Sequence, residues 1–498
     1  MNSIYELAKF NLRYKRISDS LLPEEESSPL KKLYWIVFQD KVLTEEEAML
    51  EVYGKRNVAA FSRLKVRLKD LLIRSILLQN TTNDSSDSRV SETINGYRYA
   101  LVERLLITRK SDYLAIDIAE KAIVRSIKYH ATENVLVHAR ILIGHYGKVE
   151  YNKYKLTKYL HVQEKYLDIY SWELKAENYY HDLLRTEYQS LATASQETKD
   201  KAISYVNDLD SVQNIRSYAF RFYRFRVKAT YFEYAKDFSS LLDLTESALK
   251  EFNTPEFKSG PALFSINLRR IYALIQIGSF TSAISIGKAE LEKVPSGSQP
   301  WYLMAHYVLK AQLYLPDYRN AIELIKSIIE SPKFVKLGDS YKELFNTTLG
   351  YIHLIVDAGL VVNPIDLQER LPEFKLGKFL NATPVFSKDK RGINVSILLI
   401  HIAILLQRKD YSSIIDRIDS LNQYVYRYLR KDDSFRSNCM IKMVIQMTKA
   451  DFHPLRTERY TNELYDLLVQ VKLDGSGENI ETEIIPYEVL WDIMKKSL

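Results

Sequence analysis

Apolar residues recur at three- and four-residue spacing along nearly the whole 498-residue chain. That period marks helices with one buried stripe. Four stretches break it. They are a polar run from Asn80 to Ser88, a Ser/Gly/Pro stretch over Pro295–Pro300, the region Pro364–Gly392, and a Gly/acid run over Asp474–Glu483. The first has the composition of a solvated loop and predicts a domain boundary. The last precedes a short apolar segment, Ile484–Met494, expected to dock back through Tyr487, Leu490 and Trp491. The divisions predicted are a helical domain over 1–80, a helical array over 90–470, and a loop with a capping helix over 471–498.

Within the array one short phrase recurs, an aromatic residue just ahead of an apolar helical run. It occurs at Ser111-Asp112-Tyr113, Lys236-Asp237-Phe238, Gly278-Ser279-Phe280, Pro316-Asp317-Tyr318 and Lys409-Asp410-Tyr411. In the last four an apolar pair follows: Leu241-Leu242, Ala283-Ile284, Ala321-Ile322 and Ile414-Ile415. An apolar helical pattern precedes each phrase, so the unit is a helix hairpin. The Asp caps the second helix, the aromatic fills the gap between the pair, and the small or aliphatic residues allow close approach. Phe238, Phe280, Tyr318 and Tyr411 are therefore expected to be buried at these turns.

The phrase resembles the turn of the tetratricopeptide repeat, best at Asp317-Tyr318-Arg319-Asn320-Ala321 and nearly as well at Gly278-Ser279-Phe280-Thr281-Ser282-Ala283. The spacing departs from that family, nearer to about 40 residues than 34. Ala229 stands closest to the family's first-helix glycine, and Ala115 falls one residue early. The fold expected is all-α, an α-solenoid of antiparallel helix pairs with a small N-terminal helical domain. The resemblance implies a concave surface, lined by the first helix of each pair, that holds a peptide or a partner helix.

Residues 28–79 read differently. Pro29–Phe38 is an apolar helix, Thr44 with Glu47 forms a capping box, and a Gly54–Asn57 turn leads into a long helix from Val58 to about Leu78. Phe61, Leu64, Leu68 and Leu71 share one face of it, and Arg63, Lys65, Arg67, Lys69 and Arg74 lie elsewhere. This outline looks like the three-helix part of winged-helix domains that precede helical repeats in some bacterial regulators. The basic residues are candidates for nucleic-acid contact. The competing reading is a solubilised cap or a partner-docking module.

Composition narrows the rest. With 46% apolar residues the chain is no disordered polymer, and 15 Gly and 13 Pro are few for an all-β or dinucleotide-binding fold. The net charge of +7 is weak for this length. Residues 51–80 carry seven basic and two acidic side chains, and residues 451–498 five and ten. The one cysteine, Cys439, suits a reducing compartment, and the N-terminus has no apolar signal region. The most apolar stretch, Val395 to Leu406, is short for a membrane span, so a cytoplasmic protein is expected.

Candidate chemistry concentrates between Arg216 and Tyr234. Tyr218, Phe222, Phe225, Ala229 and Phe232 share one helical face, while Arg221, Arg224 and Lys228 fall on another at i, i+3 and i+7. As a wall of the groove, those three cations would remain unpaired and favour a carboxylate, an acidic peptide or a phosphate. The alternative is ion pairing with acids of neighbouring repeats. The nine histidines are scattered, and His138 and His145 alone suggest a shared face. Phosphate-loop, nucleophile-elbow and metalloprotease motifs do not occur. The expectation is a non-catalytic interaction scaffold without a cofactor. Its expected partner is a protein or peptide, an acidic one among the candidates; the alternative is a transcription or signalling regulator with a DNA-binding N-terminal unit and a partner-sensing TPR-like array.

Overall fold

The computed structural model describes residues 2–13, 17–25, 27–39, 44–78, 88–189, 196–212, 214–361, 371–374, 379, 393–418, 435–471, 473 and 482–498. Among them the fold is all-α, with no strand. The chain divides into two compact units, Met1–Asp168 and Ile169–Leu498. The interrupting segments Asn80–Asp87, most of Pro364–Gly392 and Asp474–Glu481 lie outside the described residues.

The first unit opens with α1 (Asn2–Arg13), α2 (Pro29–Phe38), α3 (Glu45–Tyr53) and α4 (Val58–Leu77). The capping box of α3 forms as the sequence predicts. The amide of Glu47 donates to Thr44 Oγ1 at 3.3 Å, and the amide of Thr44 donates to Glu47 Oε2 at 2.8 Å. Gly54 closes the helix at φ 66°, a conformation that favours glycine, and Asn57 Oδ1 accepts from the amide of Ala60 to start α4. Phe61, Leu64, Leu68 and Leu71 are buried with Leu33, Tyr34 and Val37 of α2 in one core. Three further helices follow: α5 (Ser88–Thr108), α6 (Asp112–Lys128) and α7 (Thr132–Gly144). Each packs on the next.

Helix α8 (Lys153–Gln189) contains the division between the units. The second unit continues with α9 (Gln196–Asp210), α10 (Tyr218–Ala235), α11 (Phe238–Phe252), α12 (Gly260–Gln276), α13 (Phe280–Leu291), α14 (Gln299–Tyr314), α15 (Tyr318–Ile329) and α16 (Asp339–Asp357). Helix α17 (Ile393–Gln407), a short helix over 411–418, α18 (Phe435–Lys449), α19 (Pro454–Gln470) and α20 (Tyr487–Lys496) complete it. From α9 to α16, chain neighbours are packing neighbours.

All five recurring phrases adopt one backbone turn. Lys110, Lys236, Gly278, Pro316 and Lys409 each have positive φ. The amide of the following residue then reaches back to the fifth carbonyl before it: Ser111 to Leu106, Asp237 to Phe232, Ser279 to Leu274, Asp317 to Gln312 and Asp410 to Leu405, all at 2.8–3.0 Å. This is the left-handed helix stop known as the Schellman motif. The residue making that bond also begins the next helix. Asp237 and Asp410 act as the expected caps, accepting from the amides of Ser240 and Ser413 at 3.0 and 3.2 Å. Asp317 instead accepts from the side chain of Asn320, and Asp112 is already the first residue of its helix.

The turn aromatics divide. Phe238 is buried against Tyr272, with ring centroids 5.7 Å apart, and Phe280 lies 5.4 Å from Tyr314. In both cases the partner ring is 34 residues on (272 − 238 and 314 − 280), in the first helix of the next pair. Tyr411 stacks on Phe452. Phe280, Tyr318 and Tyr411 are half-buried, less than expected. Tyr113, in the first phrase, is 88% exposed. The following small residues, Ala283 and Ala321, are fully buried. The approach of α13 to α14 is close enough that a side chain at Gly287 would collide with Val308.

The C-terminal segment docks as expected. Tyr487, Leu490 and Trp491 are at most 1% exposed, in a core shared with α17, α18 and α19. Helix α17, the most apolar, is buried on all sides in that core. Among the described residues no helix is long and apolar enough to cross a membrane.

Candidate partner-binding surfaces

Helix α10 is wedged between two cores. Phe225 and Ala229, with Tyr218, Phe222 and Phe232, pack on α11 and α12, as the wheel predicts. Phe220 and Val227, with Tyr223, Tyr231 and Tyr234, pack on α8 and α9. Two aromatic faces leave only two narrow polar edges, at right angles to both.

The first edge carries Arg221, Arg224 and Lys228. The expectation of three unpaired cations is corrected here. Arg221 pairs with Glu251 of α11 and lies over the Phe257 ring. Arg224 and Lys228 both hold Asp210, the last residue of α9, at 2.7 Å. Their bonds keep the Asp210 carboxyl ionised below the usual range, although burial pushes it the other way. The row faces α9 and α11, so its charges are answered inside the fold. Arg270 of α12 does the same, facing Glu246 of α11.

The opposite edge faces α8 and α12, and sequence reasoning missed it. Arg226 lies 3.8 Å above the Tyr180 ring and donates to its hydroxyl. Among the described residues no carboxylate pairs with it, its Nε is unbonded, and burial depresses its pKa. One turn on, Thr230 is 2% exposed, and among the described residues its hydroxyl has no partner. Tyr223 donates to Glu177 at 2.7 Å, and burial with that bond pushes it up to about 12. Arg269 of α12 pairs with Glu233 of α10. Burial opposes its charge, but Glu233 outweighs that and holds its pKa above normal. Tyr272 continues the line to Tyr307 of α14, with centroids 6.3 Å apart. One polar row thus runs across α8, α10, α12 and α14. Arg226 was visible in the sequence, but its place between two aromatic faces depends on which helices flank α10.

In the first unit, Lys65 is tied to Glu45 at 2.7 Å. Arg63, Arg67, Lys69 and Arg74 are exposed, and among the described residues none has a carboxylate partner. Arg63 only folds back on the carbonyl of Ala59. The same exposed side carries Val66, Ile73 and Leu77, at 60%, 43% and 51% exposure.

His138, His306 and His401 lie inside, whereas His161, His181 and His453 are exposed. His138 and Glu103, both fully buried, meet at 2.9 Å between α7 and α5. His306 is pushed down to about 3 by burial and by Lys310. His401 is pushed down to about 4 by burial and two arginines. Cys439 is buried, as its apolar helix implies. No family model matches the chain, and neither a curated protein nor a solved structure does.

Proposed function

We propose that the chain is a non-catalytic scaffold whose TPR-like array of antiparallel helix pairs receives a protein or peptide partner. The first helix of each pair, α8, α10, α12 and α14, contributes to the receiving surface. The observation that carries this reading is Arg226, a guanidinium on the edge of α10 that faces its fellow first helices with no carboxylate among the described residues to answer it. Buried cations are paired unless something else supplies the charge. A carboxylate of the partner would supply the charge that Arg226 lacks within the described fold.

The test is partner capture from the native cell with three forms of the chain: unmodified, Arg226→Gln, and Arg221→Gln with Arg224→Gln. The reading expects loss of the partner with Arg226→Gln alone. Equal capture by all three forms removes this edge as the receiving surface. Loss only with the paired arginines would return the site to the other edge.

A further inference from the structure

The exposed side of α4 is organised in three parallel lines. Val66, Ile73 and Leu77 stand at i, i+7 and i+11, nearly in register along the axis. Arg63, Arg67 and Arg74 run along one flank, and Lys69 stands on the other. Asp70 interrupts the aliphatic line one turn after Val66. It is the one acid on this side of the helix. The helix is held firmly from behind. Phe61, Leu64, Leu68, Leu71 and Leu72 are buried, and the Ser75 hydroxyl donates to Asn11 Oδ1 of α1 at 2.5 Å.

We infer that this face of α4 docks an amphipathic helix of a partner protein, with aliphatic residues on its contact line and Asp or Glu along one flank. The inference rests on α4 alone and stands independently of the reading of α10. Charge selects the acidic flank, since none of the three arginines is neutralised within the described fold. Aliphatic exposure selects protein over nucleic acid. A helix seated in a DNA groove would turn the line of Val66, Ile73 and Leu77 toward phosphates and base edges. There a thymine methyl is the only apolar group on offer. Against another helix, the same line packs side chain to side chain, and Asp70 sets the register by demanding a donor opposite it.

The experiment is a selection of displayed amphipathic helices on the full-length chain. The aliphatic line is held constant and the flanks vary among Glu, Lys, Gln and Ser. Two variant chains run in parallel, Arg63→Glu with Arg67→Glu, and Val66→Ser with Ile73→Ser. All these positions are exposed, and circular dichroism confirms the fold of each variant. The expected result is enrichment of Glu on one flank. A selected helix then binds about tenfold or more weaker to either variant. Selection without acidic enrichment overturns the proposal, as does enrichment that persists on the arginine variant. Duplex DNA or phosphatidylglycerol vesicles binding through the arginines, with no change in the Val66/Ile73 variant, also overturns it. Those outcomes reassign the face to nucleic acid or to lipid.

Discussion

Arg436 and Glu483 form a two-bonded ion pair with side chains only 5% and 1% exposed. The bonds run from Nε and Nη2 to the two carboxylate oxygens at 2.9 and 2.7 Å. Arg436 also donates to the carbonyls of Leu468 and Val471 and to Glu488. One guanidinium thus ties α18 to the end of α19 and to the start of α20. Burial works against its charge, and the two carboxylates outweigh that effect. Arg436→Met would strand Glu483 in the core and cost about 3–5 kcal/mol in denaturant unfolding. Adding Glu483→Gln should recover part of the loss, because the stranded charge is gone. A loss under about 1 kcal/mol for Arg436→Met would show that Glu483 escapes to water.

Stability should fall as the medium is acidified from pH 7.5 to pH 5. His306 titrates near 3 in the fold because burial disfavours its cation, and near 6.5 in the unfolded chain. Between those values the unfolded state binds the extra proton, so the folded state loses ground as pH drops. The contribution of His306 at pH 5 is about 2 kcal/mol. His306→Leu should flatten the dependence measured by urea unfolding at several pH values. An unchanged slope would place the effect elsewhere.

The aromatic of two copies of the recurring phrase should respond unequally to truncation. Phe238→Ala empties a buried site against Tyr272 and should cost about 3–5 kcal/mol. Tyr113→Ala removes a ring that is 88% exposed and should stay within about 0.5 kcal/mol. Thermal unfolding of the two variants side by side distinguishes them.

Lys110 holds φ 59° at the end of α5, where a β-carbon crowds the backbone. Lys110→Gly should stabilise the chain by about 0.5–1 kcal/mol, since the turn is native and only the strain is removed. Destabilisation instead would mean that the glycine's freedom in the unfolded chain outweighs that relief.

The helices and their joints were legible in the sequence for local reasons. The Thr44–Glu47 box, the cap at Asp237 and the buried line from Phe61 to Leu71 depend on residues a turn or two apart. The wheel of α10 also placed Phe225 and Ala229 correctly. It set Arg221, Arg224 and Lys228 on one edge but did not show their pairing, because a wheel shows which residues share an edge and not what lies across from it. Glu251 is thirty residues away along the chain (251 − 221), and Asp210 precedes the helix altogether. Nothing in their spacing announces the pairing. Arg226 went unnoticed for the complementary reason. A single cation beside aromatics looks like solubilising charge until α8 and α12 close around it.

The shared turns have a further consequence. Asp237 ends α10 through its amide and begins α11 through its carboxylate, so no slack residue separates the two helices. Inserting one residue there would turn everything downstream by about 100° about the helix axis. It would also break both bonds at once. Joints of this kind tolerate changes of side chain but not of chain length. A one-residue insertion at such a turn is therefore expected to disrupt the packing more than a substitution there.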